Sequence, residues 1–332
     1  MKILYPFLSI FVLIIVVFIG VHQADLHFLF GIIIPYVSIL VFLIGMVLRV
    51  GYWASSPVPF RIPTTAGQGK TLPWIKQDKL ESPSTLPQVL GRMALEILLF
   101  RSLFRNTKAE LSESKLAYGS NKWLWLGGLA FHWTMLIIIV RHYRLFLEPV
   151  PGMIHLIESL DGFFEITLPT FYVTDALILI CVSFLLLRRL LVPQIRYISL
   201  AADYFPLFLI FSIVISGILM RYVLKTDVVK IKMLIGGLLS FQFQVPEGIG
   251  TMFYVHLFLV CVLGIYFPFS KLVHMGGVFL SPTRNLANNN REKRHINPWN
   301  PKVKIRSYPE YESEFREKMI DAEIPLEEEK NE

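Results

Sequence analysis

Four of the eight histidines have the type and spacing to do chemistry: His132 and His142, ten residues apart in one apolar segment, and His256 and His274, eighteen apart across another. Imidazole is the commonest side-chain metal ligand. An ionisable group inside a segment that lies in lipid is costly to keep, so it is a functional-site candidate by default. Two histidines on each of two apolar segments fit two metal centres, each held between a pair of imidazoles. The plainer reading is that a histidine at the end of an apolar span only meets water or a lipid headgroup. His142 and His274 fit that description singly, and the pairing on two segments argues against it.

The elements that must position these rings follow from composition. Hydrophobic residues make up 54% of the 332 residues, with a mean hydropathy of +0.55. A soluble domain sits near 45–50% apolar. Runs close to the ~20 residues needed to cross a bilayer recur six times: Ile3–Gly20, Phe28–Val50, Trp123–Val140, Phe171–Leu187, Phe205–Val223 and Thr251–Phe269. An all-α membrane protein, a six-span transmembrane helix bundle, is expected. The first run is longer than a signal-peptide core, and cleavage after Ala24 would put His22 where a small residue is wanted, so it reads as an uncleaved span.

The net charge of +7 is accounted for by the positive-inside rule and not by affinity for nucleic acid. With both termini cytoplasmic, the inner segments hold 26 of the 32 Lys and Arg, leaving only Arg141, Arg144, Arg221, Lys225, Lys230 and Lys232 outside. His22 and His27 then fall in the first outer turn and His295 in the polar tail, all read as solvated. The two cysteines, Cys181 and Cys261, lie in predicted spans. Iron–sulfur clusters are usually held by four thiolates, so any cluster belongs to a partner.

Two inner segments are long. Gly51–Lys122 opens with SSPVPFRIPTTAGQGKTLP, an irregular stretch. Its GQGKT lacks the spacing of a phosphate-binding loop, and no strand precedes it. From Leu86 to Arg105, Leu86, Leu90, Met93, Ile97, Phe100 and Phe104 recur at helical spacing, with Arg92, Arg101 and Arg105 off that stripe. This predicts an amphipathic helix 86–105 in the inner interface, either an anchor or a platform for a cytoplasmic subunit. The tail 275–332 carries the low-complexity run Asn285–His295, then Trp299 between prolines, then EEEKNE. It reads as a disordered tail or a docking peptide.

A helix rises 1.5 Å per residue. His132 and His142 are then about 15 Å apart in height, and His256 and His274 about 27 Å apart on one face of a straight helix. One span runs outward and the other returns. Depth therefore pairs His142 with His256 at the outer side and His132 with His274 at the inner side. Each pair can clamp a porphyrin edge-on between antiparallel helices. A tilt or kink must absorb the mismatch in height, and Pro268 is a ready cause of one.

These spacings resemble those of the NarI-type cytochromes b, the gamma subunits of respiratory nitrate reductases, over roughly Leu86–Gly277. The extra N-terminal span, the stretch LEILLFRSLFRNTKAELSESKLAYGSNKWLWLGGLAFHWTMLIIIVRHYRLFLEPVP and the tail motif NPWNP look like the DsrM-type membrane cytochromes of sulfite-reductase-associated DsrMKJOP complexes, near relatives of heterodisulfide reductase membrane subunits. The resemblance implies two N-terminal helices in 1–50, a cytoplasmic loop 51–122, a four-helix haem-binding region 123–274 and a cytoplasmic tail 275–332. It implies two haem b, an inner one on His132 and His274 and an outer one on His142 and His256. It implies menaquinol or menaquinone reacting near the outer haem, a cytoplasmic iron–sulfur DsrK-like partner, and a bacterial or archaeal cytoplasmic membrane.

A quinol gives up two protons with its two electrons, so an acceptor is needed. The outer segment 141–171 offers His155, Glu158, Asp161 and Glu165, with His155 and Asp161 as the candidate acceptors on one face of a short helix. The alternative is a solvated acidic loop. Arg141 and Arg144 flank His142 and could hold haem propionates, since guanidinium suits planar carboxylates. Two rivals remain: the b-type subunit of another respiratory oxidoreductase, and a transporter that relays protons through histidines. A relay would want acidic residues at mid-membrane, and only Asp175 and Glu96 come near.

Overall fold

The computed structural model describes residues 1–56, 76–112, 115–164, 170–288 and 304–327. GQGKT, Glu165, most of the Asn285–His295 run, NPWNP and all but the first residue of EEEKNE lie outside them. Fourteen helices are described: α1 (Leu4–His22), α2 (Ile34–Ser55), α3 (Leu86–Leu99), α4 (Arg101–Arg105), α5 (Lys122–His142), α6 (Gly152–Asp161), α7 (Val173–Leu191), α8 (Pro193–Ile198), α9 (Ala201–Ile218), α10 (Val228–Leu239), α11 (Thr251–Tyr266), α12 (His274–Leu280), α13 (Pro282–Asn285) and α14 (Tyr308–Asp321). Two small antiparallel hairpins complete the elements, β1–β2 (Thr107–Ser112, Lys115–Ser120) and β3–β4 (Gly162–Phe164, Phe171–Tyr172).

Among the described residues five helices, not six, are long and apolar enough to cross a membrane: Leu4–His22, Leu29–Ser55, Lys122–Leu145, Ala201–Val223 and Thr251–Phe269. The expected fourth span is present as α7, a 19-residue helix. Asp175 near its start and Arg188 and Arg189 near its end set it apart by composition. The protein is an all-α, multi-pass membrane helix bundle.

Helix α5 packs on α7, α7 on α9 and α9 on α11. The four form an arc; one end, α5, carries His132 and His142, and the other, α11, carries His256 and leads on to His274 at the start of α12. The N-terminal helices wrap the far end: α1 lies against α9 and α11, and α2 against α11. The apolar core sits there, with Val17, Leu209, Leu234, Tyr254 and Leu259 fully buried. Close approach of α2 to the turn that follows α11 needs a residue without a side chain at Gly45, where a Cβ would lie 2.8 Å from Pro268.

The expected helix 86–105 is broken. Phe100 adopts a left-handed conformation (φ 51°) between α3 and α4, a position that a bulky residue occupies only under constraint. Leu86, Leu90, Leu98 and Leu99 are exposed, as an interfacial helix requires, whereas Arg92 and Glu96 are buried beneath. The buried side is thus polar and held by ion pairs. Arg284 reaches Glu96 at 2.7 Å, and Arg101 and Arg105 converge on Glu81 at 2.9 and 2.7 Å. Burial depresses the Arg92 guanidinium pKa below its ordinary value. The tail, read as polar and irregular, contains α14, whose start is set by a capping box between Ser307 and Glu310, a pattern that marks helix starts.

Candidate functional site

Helix α11 does not run straight to His274. It ends at Tyr266, Pro268 sits in a 3₁₀ turn (Phe267–Phe269), a second turn follows (Lys271–Val273), and His274 opens α12. This break brings the His274 ring to His132, with centroids 6.0 Å apart and planes at 81°. Two imidazoles facing one metal at ~2.0–2.1 Å per bond put their ring centres about 6 Å apart. His142, the last residue of α5, and His256, in the second turn of α11, lie close enough to interact electrostatically. His132 and His274 are thus in ring contact, and His142 lies near His256.

Each of these rings has one nitrogen committed. The Nδ1–H groups of His132, His142 and His274 donate to the carbonyls of Gly128, Ile138 and Lys271 at 2.7, 2.7 and 2.8 Å. A carbonyl oxygen can only accept, so the hydrogen is on Nδ1 and the Nε2 lone pair is left for a metal. His256 Nδ1 lies 2.9 Å from the Ser216 hydroxyl, which itself donates to the Ile213 carbonyl at 2.9 Å. With the hydroxyl hydrogen turned to the Ile213 carbonyl, Ser216 Oγ accepts from the ring, an arrangement compatible with the same tautomer. This is the outer-shell pattern of metal-ligating imidazoles. His132, His142 and His274 are exposed and His256 is half-buried. Among the described residues no three His, Cys, Asp or Glu converge to hold a bare ion. Pairs of imidazoles instead suit a centre that brings its equatorial ligands with it, and the residues fit haem.

The His132 ring has aromatic neighbours. Phe100 and Phe131 meet His132 edge-on at 4.9 and 5.2 Å. The Phe100 elbow is tied to α5, where the Trp133 and Trp125 indoles donate to the Leu98 and Leu99 carbonyls at 3.0 and 2.7 Å.

Beside the outer pair, two expectations give way. Arg141 is buried and spends both terminal nitrogens on carboxylates, Asp161 at 2.6 Å and Asp175 at 2.8 Å. Its terminal nitrogens are engaged there, and its buried Nε has no partner among the described residues. Asp161 is equally committed, accepting from Arg141 and from the Thr174 amide and hydroxyl at 2.9 and 2.5 Å. It is not placed to take a proton from a substrate. The Tyr172 ring is contacted by Arg141 and Arg221, at 3.7 and 4.1 Å, and Tyr222 donates to Asp175 at 2.8 Å. Helix α6 is the short helix expected there. On it, Glu158 pairs with Arg144 at 2.7 Å, and the His155 side chain is 61% exposed. Sequence reasoning passed over Ser216, Gly217, Phe100 and Tyr222. A Ser-Gly pair inside an apolar span was the one available signal.

The sequence profile of the family described as "Nitrate reductase gamma subunit" matches residues 86–290. Two curated relatives are each described as "Hdr-like menaquinol oxidoreductase cytochrome b-like subunit". The protein of Archaeoglobus fulgidus is 42% identical over 280 residues, covering 82% of this chain and 84% of that one. That of Archaeoglobus profundus is 38% identical over 282 residues, covering 82% and 83%. Helices α1 and α2 lie outside the family match.

Removing one partner of a buried ion pair costs about 3–5 kcal/mol, and an exposed pair contributes under about 1 kcal/mol. Asp161→Ala is expected to lower the thermal unfolding midpoint in detergent far more than Glu158→Gln, whose partner Arg144 is partly exposed. Equal, small effects would show the Arg141 network to be dispensable.

Proposed function

The chain belongs to the nitrate reductase gamma subunit family, and from that premise we propose that it is a membrane cytochrome b that carries two haem b and passes electrons between menaquinol and a cytoplasmic partner. The observation that supports this most is the carbonyl-held tautomer of His132, His142 and His274, which leaves Nε2 to bind iron, together with a His256 ring whose Nδ1 is likewise engaged. His132 and His274 would hold the inner haem, and His142 and His256 the outer one. When bound, haem supplies reversible one-electron transfer, with a potential set by its axial ligands and their hydrogen bonds. The protein's part is to fix ligation, burial and electrostatics.

Menaquinol oxidation belongs near the outer pair. His155, the exposed titratable group of α6, is the proposed proton acceptor, while Asp161 positions Arg141. Arg144 is the cation that remains available to a haem propionate. The positive-inside count supports a topology with both termini, the β1–β2 hairpin and the α3 region on the cytoplasmic side. There a partner would exchange electrons with the inner haem. An iron–sulfur subunit of the heterodisulfide-reductase kind, within a complex of dissimilatory sulfur metabolism, is the partner this reading favours. The relatives' descriptions and the exposed apolar face of α3 support it.

Three measurements test the reading. His142→Ala and His256→Ala should each abolish one haem, and His132→Ala and His274→Ala the other, in reduced-minus-oxidised spectra of the purified protein. Two low-spin haems per chain in all four variants would sink the assignment. His155→Ala should slow haem reduction by a menaquinol analogue at least several-fold with the oxidised spectrum intact, since general acid–base groups contribute about 10²–10⁴-fold; an unaltered rate would return α6 to a solvated helix. Tyr118→Cys, at a 70% exposed site on β2, should react with an impermeant thiol reagent in inverted vesicles but not in intact cells. The native cysteines are both buried, and labelling from outside the cell would reverse the orientation.

A further inference from the structure

Helix α9 carries no histidine, yet it seats one. Ser216 is 4% exposed and its hydroxyl lies 2.9 Å from His256 Nδ1. The next residue, Gly217, is where the ring comes closest: a Cβ there would stand 3.3 Å from His256 Cε1 and 3.7 Å from Nδ1. Contacts near 3.3 Å between carbon atoms are already tight, so any side chain at 217 would push the imidazole. Immediately after Ile218 the helix passes into a π-helical turn, Leu219–Val223. Such turns are frequent at functional sites. This one lets a single helix hold the ring with residues 216 and 217 and still present Arg221 and Tyr222 to the Arg141–Asp175 network, through the Thr170 carbonyl and the Asp175 carboxylate.

The other three rings have no comparable feature. Their Nδ1 partners are main-chain carbonyls three or four residues back in their own segment. Those bonds come with the helix and cannot be altered by changing a side chain. His256 alone is bound by a side chain, and that side chain comes from another helix. Hydrogen bonds to the far nitrogen of a ligating imidazole fix its orientation and raise its basicity, and their loss typically costs 10–100-fold in affinity or activity.

We infer that Ser216 and Gly217 of α9 are positioning residues for His256, and that the Ser216 hydroxyl sets the redox character of the outer centre independently of the inner one. The inference rests on the dihaem reading above. Ser216→Asp puts an anionic acceptor on Nδ1, makes the ring a stronger electron donor and favours the oxidised metal. Ser216→Ala leaves only the nearby Ile213 carbonyl, and Ser216→Thr keeps the hydroxyl.

The test is potentiometry of the purified protein with both haems loaded, followed by visible spectroscopy and electron paramagnetic resonance. The outer haem is identified beforehand by its loss in His142→Ala. Ser216→Asp is expected to lower the midpoint potential of the outer haem alone. Ser216→Ala should change the low-spin resonance of the outer haem alone, and Ser216→Thr should stay near the parent. Gly217→Ala should lower outer-haem occupancy while the inner haem stays full. Unchanged outer-haem signals in Ser216→Asp and Ser216→Ala, or equal shifts of both haems, would overturn the inference. Absence of haem from the parent protein would instead overturn the reading beneath it.

Discussion

A main-chain carbonyl can accept a hydrogen bond but never donate one, and this one-sidedness organises the site. Because Gly128, Ile138 and Lys271 offer only carbonyls to the rings of His132, His142 and His274, each ring holds its hydrogen on Nδ1. Each therefore presents a lone pair at Nε2. The choice of tautomer is made by the backbone before any cofactor arrives, so ligation needs no proton rearrangement at these rings. For His132 and His142 the acceptor is the residue one helical turn earlier, so being in the helix is what sets the tautomer. The rest of the bundle has one task left, to bring such rings together two at a time.

Meeting in space is a problem of height. Ten residues on α5 and eighteen between His256 and His274 cannot match along two straight helices. The answer lies at Pro268, which cannot donate an amide hydrogen bond and so favours a break. Two short turns follow before α12 restarts at His274. Gly45 leaves room for this broken segment against α2. The elbow at Phe100 is the counterpart on the other side: a residue in an unfavourable conformation is held there by two tryptophan indoles and set against His132.

Much of this was legible in the sequence because it depends on period and composition. Apolar length marked the helices, five of the six expected spans among them, and the spacings of ten and eighteen called for the break at Pro268. What was not legible depends on long-range contact. Asp161 and Asp175 look like free acids in a list of residues, and only packing shows them closed around Arg141. The polar side of the 86–105 segment was placed in water by its pattern, whereas Arg92 and Glu96 are buried, because the chain segments around Glu81 and Arg284 supply their surroundings. The same three charges that mark α7 as a marginal span by composition include the one that anchors Arg141. Ser216 left little trace because a serine in an apolar span has many uses.

The two halves of the histidine frame are not equally built in. Helix α11 is enclosed by α1, α2 and α9 and exposes little beyond Val260, whereas α5 presents Trp123, Leu126, Trp133, Leu136 and Ile139 outward. One half is core and the other is periphery. A group that bonds to both therefore acts as a cross-strut, and the free energy of its binding adds directly to the stability of the closed arc. Cofactor loading would then steady the peripheral α5 against the enclosed α11.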